Sequence, residues 1–182
     1  WMDRNLGASR VATSSTDAEA YGDLYQWGRA PDGHEKRSSG TTNTLSFWNS
    51  PGHANFITNN TDPLDWRSPQ NNNLWQGLNG INNPCPEGFR LPTSNEWEDE
   101  RQTWATYDAS GAFGSPLKLT IAGFRDNTSL IRYVNSAGLY WSSSPSYWNN
   151  TWSNFMFISS SQALAAYNPR VYGLSVRCIK DQ

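Results

Sequence analysis

Residues 138–180 read GLYWSSSPSYWNNTWSNFMFISSSQALAAYNPRVYGLSVRCIK, and this stretch decides how the chain folds. Tyr140, Trp141, Trp148, Trp152, Gly173, Val176 and Cys178 read as a rigid frame. The residues between them are Ser, Asn, Tyr, Phe, Ala and Pro, with almost no charge. That is the composition of a binding surface, and it contains no nucleophile-plus-base arrangement. Segments 139–143, 151–158 and 174–179 read as strands, the last with Leu174, Val176 and Cys178 on one side. On 151–158, period two sets Ser153, Phe155 and Phe157 against Trp152, Asn154, Met156 and Ile158. Both faces are apolar, so one meets the core and the other is either covered or exposed. Exposed aromatics rimmed by Ser and Asn combine rigid contact area with adaptable hydrogen bonds. The competing reading makes Phe155 and Phe157 ordinary core, and their exposure decides between the two.

Upstream, 131–134 and 118–124 read as further strands, and 1–6 as a short strand before Gly7. Ala20, Leu24 and Trp27 share one face of a short helix over 17–27, weakened by Gly22 and stopped by Gly28. Thr93 and Glu96 form a capping box for a second helix over 94–106, with Trp97, Arg101 and Trp104 along one face. The acidic run Glu96, Glu98, Asp99 and Glu100 reads as a solvated face at a helix N-terminus rather than a metal site. Between the helices, 29–83 is a long polar excursion with the tract Gln70-Asn71-Asn72-Asn73. Its scattered Trp48, Trp66 and Trp75 are expected to pin it to the body. One early strand, two short helices, long ordered loops and a strand-rich second half make an α+β fold with a small antiparallel sheet at its centre.

The 182 residues carry 10 Trp, 8 Tyr and 7 Phe, enough large aromatics to build a core although apolar content is 36%. Charged residues are 16% and net charge is −2, which argues against nucleic-acid partners and against disorder. No apolar run approaches the roughly 20 residues of a membrane span, so no direct membrane insertion is expected. The sequence opens at Trp1 in mid-strand, so 1–182 is expected to be one domain at the C-terminal part of a longer chain. Cys85 and Cys178 leave three readings: buried free thiols, a disulfide tying mid-chain to chain end, or a catalytic thiol. The disulfide would imply an oxidising, extracellular setting. The third reading lacks a histidine near either cysteine in sequence. Asn-x-Ser/Thr sites start at Asn59, Asn127 and Asn149.

Five segments carry a likeness in register: WMDRNLGAS at the start, YGDLYQWGR at 21–29, CPEGFRLPTSNEW at 85–97, GLYWSSSP at 138–145 and YGLSVRCIKD at 172–181. Together they resemble the Fibrobacter succinogenes major paralogous domain family. The resemblance implies a C-type lectin-like fold, with kinship to the fold of formylglycine-generating enzymes. Some members resemble the variable proteins of diversity-generating retroelements, in which adenine-directed mutagenesis rewrites asparagine codons near the 3′ end. Residues 146–172 fit that output. Asn149, Asn150, Asn154 and Asn168 match unmutated template. Ser146, Tyr147, Ser153, Phe155, Phe157, Ala163, Ala166, Tyr167, Pro169, Val171 and Tyr172 match rewritten codons. Trp148, Trp152, Met156 and Gln162 would be frame.

The resemblance therefore implies a ligand-binding display protein that attaches to a protein or glycan receptor on a host or neighbouring cell, at an extracellular, cell or virion surface. The alternative is a fixed-sequence bacterial surface adhesin or carbohydrate-binding domain of the same fold. An oxidase of the formylglycine-generating kind needs a reactive Cys pair in a cleft, and here both Cys sit in strand-like motifs. A calcium-dependent lectin needs clustered carboxylates, and 138–180 has no Asp or Glu. The expectation is no enzyme, no metal and no cofactor.

Overall fold

The computed structural model describes residues 1–181. In chain order they form β1 (Tyr25–Gln26), β2 (Thr41–Thr42), β3 (Phe56–Ile57), β4 (Phe89–Arg90), α1 (Ser94–Gln102), α2 (Ala109–Gly114), β5 (Phe124–Arg125), β6 (Ile131–Arg132), β7 (Ala137–Pro145), β8 (Trp152–Ser159), β9 (Ala163–Pro169), β10 (Gly173–Leu174) and β11 (Ile179–Lys180). The fold is α+β, with small antiparallel sheets in the orders β7-β8-β9, β1-β10-β5-β6 and β11-β4, plus a parallel β2-β3 pair. No helix among the described residues is long and apolar enough to cross a membrane.

The β7-β8-β9 sheet is a wall with a core on each side. Leu139, Trp141 and Phe155 face one core, shared with Trp27, Trp75, Leu174, Val176 and Cys178. Tyr140, Met156, Ile158 and Ala163 face the other, closed by Trp97 and Trp104 and by Ala109 and Ala112 of α2. This is why β8 is apolar on both faces: each is covered by its own layer. Gly138 lets the wall approach the 119–122 segment, because a Cβ there would lie 2.5 Å from Thr120 O. Helix α1 is too short to stand alone in water. Its capping box forms as expected, and Trp97 anchors it by donating Nε1–H to Trp141 O at 3.1 Å.

Cys85 and Cys178 form a disulfide, with Cα atoms 5.9 Å apart and a sequence separation of 93. It lies beside the β4–β11 pairing and fastens the last strand to the middle of the chain.

Several expected elements differ. Residues 1–6 make no strand: Met2 and Leu6 donate N–H to Cys178 O and Val176 O, while Asn5 turns inward to hold the buried Arg177 through its Oδ1 at 2.8 Å and 3.1 Å. The helix over 17–27 reduces to a 3-10 turn at Ala18–Ala20. Gly22 ends it in a left-handed conformation (φ +68°) that a side chain could not share, since a Cβ would meet Leu6 O at 2.5 Å. Ala20, Leu24 and Trp27 are buried all the same. The helix expected over 94–106 is α1, which stops at Gln102, and α2 was not anticipated; it is capped by Asp108, whose carboxylate accepts from Gly111 N–H. Within 118–124, Phe124 joins a ladder and Gly123 makes a lone parallel bridge to Gly138, while Leu119 and Ile121 face inward without strand partners. The expected last strand, 174–179, splits into β10 and β11, and β9 was not anticipated.

The excursion 29–83 is irregular and pinned, as expected, by Trp66 and Trp75. The Trp66 indole N–H donates to Trp27 O (2.7 Å), and Trp75 packs on Trp27 in the core, ring centroids 5.7 Å apart. Trp48 does not pin it: it is 70% exposed and leans on Phe47. The run Glu96, Glu98 and Glu100 is engaged by local partners Arg90, Arg101 and Trp104.

Candidate functional site

The loop between β7 and β8 carries the most exposed aromatics of the wall. Its backbone is held by its own bonds: Ser146 N–H donates to Trp152 O, and Trp152 N–H to Asn149 O. Asn149 Oδ1 accepts from Thr151 N–H and Oγ1–H, so that oxygen builds the turn. Tyr147 and Trp148 project from this turn, 89% and 81% exposed, their rings edge to face with centroids 5.6 Å apart. A shallow cleft of about 210 Å³ runs beside them, lined by Ser94, Asn154, Ala165, Ala166 and Tyr167. No charged side chain lines it.

The excursion supports this loop from below. Gln70 donates to Thr151 O at 2.7 Å and to Asp65. Gln76 donates to Ser143 O at 2.7 Å. Arg170, fully buried, donates from Nη2 to Asn72 Oδ1 (2.6 Å), Asn150 O and Trp152 O. The Gln-Asn tract is thus the floor of the β7–β8 loop. Burial raises the Asp65 carboxyl to about 6, partly offset by Arg170.

The expected ligand-binding residues separate into three groups. Tyr147, Asn154, Ala166 and Tyr167 meet at the cleft, with Asn150 exposed on the loop. Phe157 and Tyr172 lie elsewhere. Phe157 lines a second hollow with Phe124 and Tyr133 on the other face of the wall, and Tyr172 stacks on Phe124 at 5.7 Å. Asn168 is half-buried on β9. Ser146, Ser153, Phe155, Ala163, Pro169 and Val171 are buried. The exposed-face reading of β8 is therefore corrected. Phe155 is 6% exposed and packs edge-on against Trp141, with Ser153 beside it at 0%, because Trp75 of the excursion and Leu174 and Val176 cover that face. Conversely Trp148, read as frame, is at the surface, as is Gln162. Its setting in Ser-Tyr-Trp-Asn-Asn, a turn composition, was the signal that could have placed it there. Ser94 and Ala165 carried no such signal.

Two other clusters have their chemistry already spent. Asp32, His34 and Glu35 bring ligand-type atoms within 4.8 Å of one another. Yet His34 Nε2 accepts from Gln26 N–H, its Nδ1 meets Asp32, and Asp32 also pairs with Arg29. Burial holds the His34 imidazole down at about 4. A hollow of about 480 Å³ lined by Trp1, Arg90, Glu96, Asp99, Glu100 and Asp181 is larger than the cleft, but its one arginine, Arg90, is taken up in ion pairs with Glu96 at 2.7 Å and Asp181 at 2.6 Å.

In comparisons with known proteins, no family model, no curated protein and no solved structure matches the chain. Its function is read from its own geometry.

Proposed function

We propose that this chain is a ligand-binding display domain with a C-type lectin-like fold, akin to the variable proteins of diversity-generating retroelements. It attaches through the Tyr147–Trp148 loop and the adjoining cleft to a protein or glycan receptor on a host or neighbouring cell. The observation that carries the reading is the exposed Tyr147–Trp148 pair, raised on a turn whose backbone is satisfied from within and supported from below. Exposed large aromatics cost solvation unless they meet a partner, and rigid aromatics lose little entropy on binding. The Cys85–Cys178 disulfide favours an extracellular, cell-surface or virion setting.

A fixed-sequence adhesin or carbohydrate-binding domain of the same fold is the second reading. The burial of Ser153, Phe155, Ala163 and Val171 favours it, since positions inside a close-packed core tolerate few replacements. Sequencing the gene and its neighbourhood across related isolates separates the two. Retroelement diversification expects a near-copy of the 3′ coding end beside a reverse transcriptase, and variation concentrated at 147, 150, 154, 166 and 167. Absence of both leaves the fixed adhesin. Either way, binding to whole cells or glycan arrays is expected to survive chelator and to be lost in the Tyr147→Ala/Trp148→Ala double variant. Binding unchanged in that variant would overturn the site.

A further inference from the structure

The outer edge of β9 is an unprotected strand edge. Ser159 N–H donates to Gln162 O at 2.8 Å, closing the β8–β9 hairpin. From that closing pair, hydrogen-bonded positions alternate along the register Phe157↔Leu164, Phe155↔Ala166 and Ser153↔Asn168. Leu164, Ala166 and Asn168 therefore direct their main-chain groups to β8. Ala163, Ala165 and Tyr167 direct theirs outward. Pro169 falls on the outward parity, where a missing N–H costs no ladder bond.

Among the described residues two outward groups are engaged: Ala163 O by a long 3.5 Å contact from Arg101, and Pro169 O, at the far end of the strand, by Tyr172 N–H at 3.2 Å. Leu164, Ala165 and Tyr167 are exposed. Sheet edges are ordinarily guarded by Lys, a bulge or a covering element. Here no residue from 159 to 169 is charged, and the β8–β9 register is continuous.

We propose that β9 pairs antiparallel with the β9 of a second copy of this chain, about a two-fold axis at Ala165. In that register Ala165 meets its own counterpart, and Ala163 meets Tyr167 of the other copy. About six main-chain hydrogen bonds form. The occupant is a second copy because the edge is self-compatible. An isologous interface brings every residue against its own kind or its mirror position, so a charge on the strand would face its own kind, and 159–169 carries none; Arg101, beside Ala163 O, releases its long contact on pairing. The bulky Tyr167 lands opposite the smallest side-chain type, Ala163. The pairing joins two three-stranded walls and sets two aromatic clefts side by side, so a multivalent receptor would be gripped twice. It does not depend on what the clefts bind.

Sedimentation equilibrium of the 182-residue chain over roughly 1–500 μM tests it. A monomer–dimer equilibrium is expected. Ala165→Pro removes an outward N–H and no internal bond, so it is expected to weaken the dimer at least about tenfold while circular dichroism and melting stay as in the wild type. Should that variant misfold, Ala165→Lys and Ala165→Glu serve instead: each alone is expected to be monomeric, and an equimolar mixture to dimerise. Tyr147→Ala is expected to leave the dimer intact, separating this result from that of the cleft. A wild-type monomer throughout the range, even one that takes up an extended peptide, overturns the proposal. So does a dimer that all three Ala165 variants leave unchanged.

Discussion

Arg170 stacks its guanidinium on the indole of Trp27, 4.4 Å from the ring centroid, while its Nη2 holds the main chain of Asn150 and Trp152. One cation thus couples the main core to the loop that carries Tyr147 and Trp148. Its Nε and Nη1 have no protein partner, so the group orders the loop at a cost in solvation. Arg170→Met keeps the packing and removes the charge. It also takes the nearby cation from buried Asp65 and the donor from Asn72 Oδ1, so it is expected to lower the melting temperature and to speed hydrogen exchange at the amides of Ser146 and Trp152. Unchanged exchange would mean that the loop orders itself.

The two aromatic pairs of the wall should behave oppositely. Tyr147→Ala or Trp148→Ala is expected to change stability by less than about 0.5 kcal/mol, since both are exposed. Phe155→Ala opens a cavity against Trp141 and is expected to cost about 3–5 kcal/mol. Urea unfolding of the three variants checks the division between surface and core.

Reducing the Cys85–Cys178 bond frees a loop with a sequence separation of 93 residues. The chain-entropy model assigns such a closure about 4–5 kcal/mol. The Cys85→Ala/Cys178→Ala variant is expected to unfold at clearly lower denaturant than the oxidised wild type, and to match the wild type after reduction.

Two buried titratable groups oppose each other on acidification. Asp65 rises from 3.8 to about 6 through burial. Its contribution to stability is present in full below the unfolded value and is lost as pH rises through about 6. His34 falls from 6.5 to about 4 through burial. Its contribution is present above 6.5 and is lost as pH falls through about 4. Each shift corresponds to about 3 kcal/mol, and between pH 4 and 6 they have opposite slopes. Wild-type stability is expected to be nearly flat there. Asp65→Asn leaves the His34 slope alone, so that variant should lose up to about 3 kcal/mol between pH 6.5 and 4. His34→Gln should gain on acidification over the same range. Glu96, held at about 2 by Arg90, acts mainly below this window. Urea midpoints at several pH values read all three proteins.

The α+β class, the irregular excursion and the capping box of α1 were legible because each has a local cause: turn residues, polar tracts, a Thr-to-Glu spacing. Strand β9 was not, since Ala163–Pro169 has little β propensity and forms because β8 offers it a ladder. Helix α2 was hidden by its glycines, though Asp108 was a readable cap. Composition pointed to a loop that does lie at the surface, and with it to residues that the structure buries. Residue type says that Phe155 and Tyr147 are both aromatic, but only the layer laid over each face separates core from display. Period two grouped Ser153, Phe155 and Phe157 correctly on one face, and could not tell that Trp75 and Val176 pack into the core on that side.

The Cys85–Cys178 bond has a consequence for wear. Every residue of the β7–β8 turn lies between the two bridged positions. A protease that cuts at Tyr147 or Trp148, the accessible point of the wall, therefore opens the backbone without parting the molecule. The two pieces stay joined by sulfur and by the ladders of β8 with β7 and β9. Such a nicked protein would run as one species until reduced and as two thereafter, and could keep its shape at a surface long after its most exposed turn had been clipped.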